Sequence, residues 1–541
     1  MTPFTRHLRP SVAVLAGIVL LSGCGSPASG EASAPEPISI AIGEPVATLL
    51  PGNTVEDNGS QILEALWTGL VEYGPDGGVR YTGVADAIES EDSVTWTVRL
   101  RDGWTFHDGS SVTAESFVDA WNYAAYSPNA QAGSSFFANI EGYDDLQAPV
   151  DDAGEPTGDP VATELSGLTV VDDETFTVTL SAPFAQFPVT LGYNPFFPLP
   201  ELFFENPEAF GLRPVGNGPF RAAGEFVPGE GLTVLPFEDF AGEQAASVEA
   251  IEFRVYTDTD TAYVDAQAGN LDVLPRVPAD AAGTAPEDFE SRYVESAASG
   301  FTFLGLPLYQ ERYADARVRQ ALSLAIDREL IAEQIFAGTR TAATSVVPPV
   351  VEGHRDDACG YCTLDVDRAN DLLDAARFDR TQPIELWFNA GGGNEAWMEA
   401  VGNQLRTNLG VEFVLKGDLA PPEYGPLLGT RGMTGPFRMG WSMDYPSPQN
   451  FLEPLYATDS GANFAFYSDP EFDALLAQGN AAATNAEAIG FYNQAEDVVL
   501  KDMPIIPLFF AVTQSVHSAD VTDVVVDVFG RVDTSALTEA G

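Results

Sequence analysis

Lysine is almost missing from this chain. Lys416 and Lys501 are the only two among 541 residues, and with arginine the basic residues number 25 against 80 acidic ones, a formal charge of -55. Nucleic-acid binding needs a basic face that neutralises phosphates, so that class of function is excluded. The acid excess names no ligand, because at physiological salt the field of exposed charge fades within about 8 Å; it reads as a solvated surface. Histidine is scarce too, and beyond the N-terminal segment His107, His354 and His517 lie far apart. There is no HExxH, and the nearest approach to a GxSxG elbow, Gly440-Trp441-Ser442-Met443-Asp444, lacks its closing glycine. Metal-dependent hydrolysis and serine catalysis are unsupported, and no metal or cofactor is expected. Gly216-Asn217-Gly218 runs into Pro219 without a third glycine, which suits a turn rather than a dinucleotide cradle. A carboxylate pair of the glycosidase kind is the catalytic reading that so acidic a chain leaves open.

The three cysteines divide into one and two. Arg6, His7 and Arg9 precede the apolar run from Ser11 to Leu21, the layout of a secretory signal and too short to cross a bilayer. It ends in Leu21-Ser22-Gly23-Cys24, which resembles the lipobox of a bacterial lipoprotein. The resemblance implies a signal peptide over residues 1–23, lipidation of Cys24 and a flexible spacer over 24–37, tethering the protein to the outer face of the cell membrane. Cys359-Gly360-Tyr361-Cys362 admits a redox pair, half a zinc site with His354, or a local disulfide. Its Pro/Gly/Asp-rich loop and the oxidising compartment favour the disulfide.

About 500 residues follow the spacer, enough for two or three domains, and no later segment has the length and apolarity of a membrane span. Strand-like and helix-like segments alternate without a fixed repeat, the pattern of an α/β or mixed architecture. Ser93 to Leu100 alternates at period two and predicts a strand, and Thr113 caps a helix running to about Tyr126. A hairpin is expected from Leu168–Val171 and Thr175–Leu180. Val318, Leu322 and Ile326 mark an amphipathic helix with its arginines on the other face. A strand at 383–388, a helix at 395–408 and a strand at 411–415 give a β-α-β unit suited to a parallel sheet.

Four segments in register resemble the family 5 extracytoplasmic solute-binding proteins of ABC importers, closest in motif to the oligopeptide-binding lipoproteins. They are Trp96 to Gly109, Gly216-Asn217-Gly218-Pro219-Phe220, Asp315 to Leu322, and Gly440-Trp441-Ser442-Met443-Asp444-Tyr445-Pro446. The resemblance implies a two-lobed fold of the periplasmic-binding-protein type II, with an extra domain and the ligand in the interlobe cleft. Lobe I would comprise 38–68, 182–296 and 503–541, the extra domain 69–181, and lobe II 297–502. The chain would cross between lobes near Ser296 and Asp502, a hinge of the sort used for closure around ligands.

It further implies a monomeric binding protein, not an enzyme, that captures short peptides and delivers them to an ABC permease and ATPase complex. A nickel chelate, a glycoside or a cell-wall fragment is the alternative solute on the same fold, and an adhesion or signalling receptor is the alternative class. Asp444 matches an aspartate that fixes the peptide's α-ammonium, and Arg438 an arginine that meets the ligand carboxylate. Gly440 and Ser442, around Trp441, would supply backbone groups that pair with the peptide as a strand, and Tyr424 would form an aromatic pocket wall. Residue by residue, bland readings stand beside these: Trp441 and Tyr445 as core aromatics, Arg438 as an ion-pair partner, and Asp444 as the cap of a turn before Pro446.

Overall fold

The computed structural model describes residues 37–151 and 156–540. The signal segment, Cys24 and the spacer through residue 36 lie outside the described residues.

Among the described residues, the largest sheet has eleven strands: β1 (Ile38–Ile42), β2 (Phe220–Ala222), β3 (Gly231–Pro236), β4 (Ile251–Val255), β5 (Val273–Leu274), β6 (Tyr293–Gly305), β7 (Arg340–Ala342), β8 (Ile384–Trp387), β9 (Phe413–Lys416), β10 (Phe437–Trp441) and β11 (Ile505–His517). Their spatial order is β9-β8-β10-β6-β11-β5-β1-β4-β3-β2, with β7 also on β11. The β-α-β unit expected from sequence is there: β8 and β9 pair in parallel, joined by the helix Asn394–Leu409. Burial on both faces explains why β1, Ile-Ser-Ile-Ala-Ile, is inside along its whole length.

The two 13-residue strands β6 and β11 belong to both halves of this sheet. Tyr293–Ala297 pairs antiparallel with Val512–Val516; the register then shifts, and Phe301–Gly305 pairs with Ile505–Phe510. β5 flanks β11 at one end of this ribbon, whereas β10 flanks β6 at the other. The irregularity lies next to Ser296, where one lobe crossing is expected. The second crossing is expected near Asp502, where the helix Asn485–Asp502 ends just before β11 begins. The unpaired residues Ala298-Ser299-Gly300 form the bulge, and Ser299 donates its N–H to the Val528 carbonyl at 2.8 Å. A Cβ added at Gly300 would come within 2.8 Å of the Ala511 Cβ, so the close approach of the two strands here requires glycine.

A separate four-stranded antiparallel sheet runs in the order Ala85–Glu89, Thr95–Leu100, Thr175–Thr179, Leu168–Asp172. Trp96, Val98 and Leu100 point into its core against the helix Ala114–Ala125, as their period-two spacing predicts. Two of the family motifs meet where this sheet joins the main one. His107 Nδ1 accepts the Gly216 N–H at 3.1 Å, and Nε2 lies 3.1 Å from the Gly218 carbonyl and so carries the proton. Asn217 bonds the backbone of Thr68 through both ends of its amide. A Cβ at Gly216 would sit 1.9 Å from the Leu66 carbonyl oxygen, so only glycine fits. His107-Asp108-Gly109 is thus a structural clamp, and burial holds its imidazole down at a pKa of about 4.

One expectation is corrected by packing. The helix Ala316–Leu324 buries Val318 and Leu322, but Arg319 is buried as well, donating to the carbonyls of Tyr313, Ala314 and Asp502. Arg328 is likewise enclosed, with five hydrogen bonds to Pro507, Ser323, Ile326 and Cys362. Main-chain oxygens replace water around both guanidinium groups, so their charge does not mark a solvated face. Cys359 and Cys362 are joined by a disulfide, and His354 Nδ1 is 2.7 Å from the Val347 carbonyl.

Candidate binding site

β10 owes its place to the hydrophobic residues Phe437 and Met439, which alternate with Arg438 and Gly440. Along one edge, Phe437–Trp441 pairs antiparallel with Phe301–Gly305 of β6. Along the other, β8 touches it only at Trp387 opposite Phe437. The carbonyls of Pro436 and Arg438 face away from β6: the first accepts Trp387 N–H at 2.9 Å, the second the Tyr424 hydroxyl at 2.9 Å. Antiparallel pairing alternates from residue to residue, so the backbone groups of Gly440 face the same way, and Ser442 follows just past the strand. Beyond Arg438 this is an open sheet edge.

That edge borders a cavity of about 980 Å³. Its floor is the bulged ribbon, with Gly300, Thr302, Ala511 and Thr513. Arg438, Gly440, Trp441 and Ser442 stand on one side, and Asp57, Asp258, Asp260 and Arg276 on another. The Trp441 indole N–H points to the Asn450 Oδ1 at 3.3 Å. Among the described residues Arg438 has no ion-pair partner, and its Nε is buried without a hydrogen bond. The structural ion-pair reading of Arg438 therefore finds no carboxylate.

Tyr424 and Asp444 are not on the cavity wall. Tyr424 is buried with Leu428, Met433 and Phe437 and supports β10 from behind through its hydroxyl. Asp444 lies two residues past Ser442. Its N–H donates to Asn450 Oδ1 at 3.0 Å and its Oδ2 accepts from Asn450 Nδ2 at 3.1 Å, while the Tyr193 hydroxyl donates to the Val55 carbonyl at 3.4 Å. Burial raises its pKa, hydrogen bonding from Asn450 lowers it by less, and no cation contributes. Tyr445 is a core residue bonded to Gln449.

Two cavity arginines escaped the sequence reading. Arg276 follows β5 and Arg340 opens β7, and neither belongs to a motif. Their scarcity was the only available signal, since most of the chain's few cations are tied up in ion pairs or carbonyl cages.

The match to known proteins now has a geometry to attach to. Residues 81–463 match the model of the bacterial extracellular solute-binding proteins, family 5, middle region. The chain belongs to this family. It is 27% identical over 475 residues to the periplasmic murein peptide-binding protein MppA of Escherichia coli (strain K12), covering 86% of this chain and 85% of that protein. It is 25% identical over 538 residues to the oligopeptide-binding protein OppA of Bacillus subtilis (strain 168), covering 95% and 96%. The solved structure of the unliganded open form of MppA superposes with a TM-score of 0.79 at 24% identity, covering 93% of this chain and 97% of that one. The fold of this family-5 chain is the two-lobed type II binding-protein fold. Its relatives are substrate-binding transport proteins rather than enzymes, and extracytoplasmic ones. Among the described residues no helix is long and apolar enough to cross a membrane.

Proposed function

We propose that this protein captures short peptides outside the cytoplasm by lobe closure and hands them to an ABC permease and its ATPase, held to the outer face of the cell membrane by lipid on Cys24. Lobe I comprises 38–68, 182–296 and 503–541, the extra domain 69–181, and lobe II 297–502.

The observation that carries this reading is an open strand edge ending near a partly buried carboxylate with no cation. A peptide laid along Gly440 and Ser442 as an added strand is held through its main chain, which reads no side chains. Its α-ammonium would supply the charge that the Asp444 surroundings lack, and a buried carboxylate without a partner is costly. Arg438, with a guanidinium fork and no carboxylate of its own, suits the other end of the ligand. Closure about the bulge at Ala298-Ser299-Gly300 would bring the lobe I wall over the peptide.

Mass spectrometry of material released by unfolding the purified protein tests the reading. Peptides of a few residues are the expected release. A co-purified glycoside, cell-wall glycan or metal chelate, with no measurable affinity for any tri- or tetrapeptide in calorimetry, would sink it.

A further inference from the structure

The cavity wall built from β6, β7 and β10 is cationic without compensation. Arg340 and Arg438 line it, and no carboxylate from these strands does. Among the described residues neither arginine is in an ion pair. Arg340 Nη1 donates to the Thr339 carbonyl at 2.6 Å, and its guanidinium lies 5.7 Å from the Phe336 ring centre. Arg438 reaches only Asn389 Oδ1, at 3.5 Å, the outer limit of a hydrogen bond. Burial lowers the pKa of each, and for Arg340 the charges of Arg276 and Arg438 lower it further. In a chain with 80 carboxylates and 25 cations, two guanidinium groups left unpaired on one wall run against the odds. The floor carries Gly300 and Ala511, and the wall beside Arg438 carries Gly440, residues too small to fill the space.

The other wall has the opposite character. Asp57, Asp258 and Asp260 face the cavity there, Asp258 capping the helix Thr259–Ala268 and Asp57 lying 3.8 Å from Arg276. A ligand's carboxylates would be repelled from that side and drawn towards Arg340 and Arg438. One guanidinium is satisfied by the α-carboxylate of a peptide; the second needs another anionic group, and the fork geometry of arginine suits a carboxylate.

We propose that the cavity selects acidic peptides, with Arg438 and Arg340 taking the α-carboxylate and a side-chain carboxylate of the same ligand. This rests on the peptide reading above and adds its charge class. Calorimetry of the purified protein with Ala-Glu-Ala, Ala-Gln-Ala and Ala-Lys-Ala, and with glutarate as a dianion lacking peptide groups, tests it. The glutamate peptide should bind about ten- to a hundredfold more tightly than the glutamine peptide, and the lysine peptide most weakly. Arg340→Gln should compress the Glu/Gln ratio to within about threefold, and Arg340→Lys should restore part of it. An unchanged melting temperature in both variants separates selection from folding. Equal affinity for the three peptides overturns the proposal and leaves peptide capture standing. Arg340-dependent binding of glutarate with no peptide bound sustains the anion site and overturns peptide capture instead. If neither glutarate nor the glutamate peptide binds, the anion site is refuted.

Discussion

Asp444→Asn is the substitution whose consequences can be worked furthest. The carboxylate is partly buried beside Asn450, and that burial raises its pKa. Folding therefore favours the protonated acid relative to the unfolded chain, and the stability tied to this group grows as pH falls, the reverse of a salt-bridged aspartate. An arriving ammonium reverses the balance by stabilising the charged form. Removing one member of such a buried pair costs about 2–5 kcal/mol, or roughly thirty- to several-thousand-fold in affinity, much of it the penalty on the stranded partner. The amide should thus weaken a free tripeptide by at least thirtyfold without lowering the melting temperature of the ligand-free protein. N-acetylation of the peptide should do the same to the original protein, and the two changes together should cost little more than either alone. Affinity for the free peptide should also fall as pH drops through the raised Asp444 pKa, and the acetylated peptide should show no such fall. Calorimetry on the two-by-two set, repeated from pH 7 down to pH 4, decides it. Equal binding of free and acetylated peptides, or a free-peptide affinity that ignores pH, would refute the ammonium site.

His107 should make the protein acid-sensitive: its folded pKa of about 4 lies below the 6.5 of the unfolded chain, so its contribution is complete above 6.5 and lost as pH falls towards 4, by about 3 kcal/mol. His107→Phe, which orphans the Gly216 N–H and the Gly218 carbonyl, should cost about 2–4 kcal/mol in urea unfolding at pH 7 and flatten that part of the pH profile; an unaltered profile would count against the clamp. Gly300→Val should crowd Ala511 and weaken peptide affinity through the hinge, and adding Ala511→Gly should recover part of the loss in the same titration. Cys24→Ala should abolish acylation measured by labelled fatty acid while leaving the melting temperature unchanged; acylation that persists would remove the lipoprotein reading.

Much of the fold could be read because local pattern and tertiary role agree. Trp96, Val98 and Leu100 alternate and face one core; Ile384 and Phe413 bracket a helix and pair in parallel. Family motifs located Gly440, Trp441 and Ser442, which do line the cavity. The bulge was less visible, because Gly300 is one glycine among many until Ala511, over two hundred residues later, lies against it. Arg276 and Arg340 were invisible for the same reason: their convergence is a product of strand order, not of spacing. Arg319 misled because a helix that alternates arginines with Val318 and Leu322 reads as amphipathic whether water or main-chain carbonyls receive the charge.

The clamp at His107 also sets an order of assembly. Its partner Gly216 lies 109 residues downstream, whereas the four-stranded sheet beside it uses only residues 85–179. A chain emerging from its N-terminus can therefore complete that sheet before the clamp can close. Until residues 216–240 arrive, Trp104 and His107 lack the rings of Phe240 and Phe237 that cover them in the finished protein. The interval is one of exposed aromatic surface, the condition under which partly folded chains associate with one another. Placing the four-stranded sheet ahead of the segment that covers it thus gives the protein a vulnerable stage during its own synthesis, closed by a histidine that must be uncharged when Gly216 reaches it.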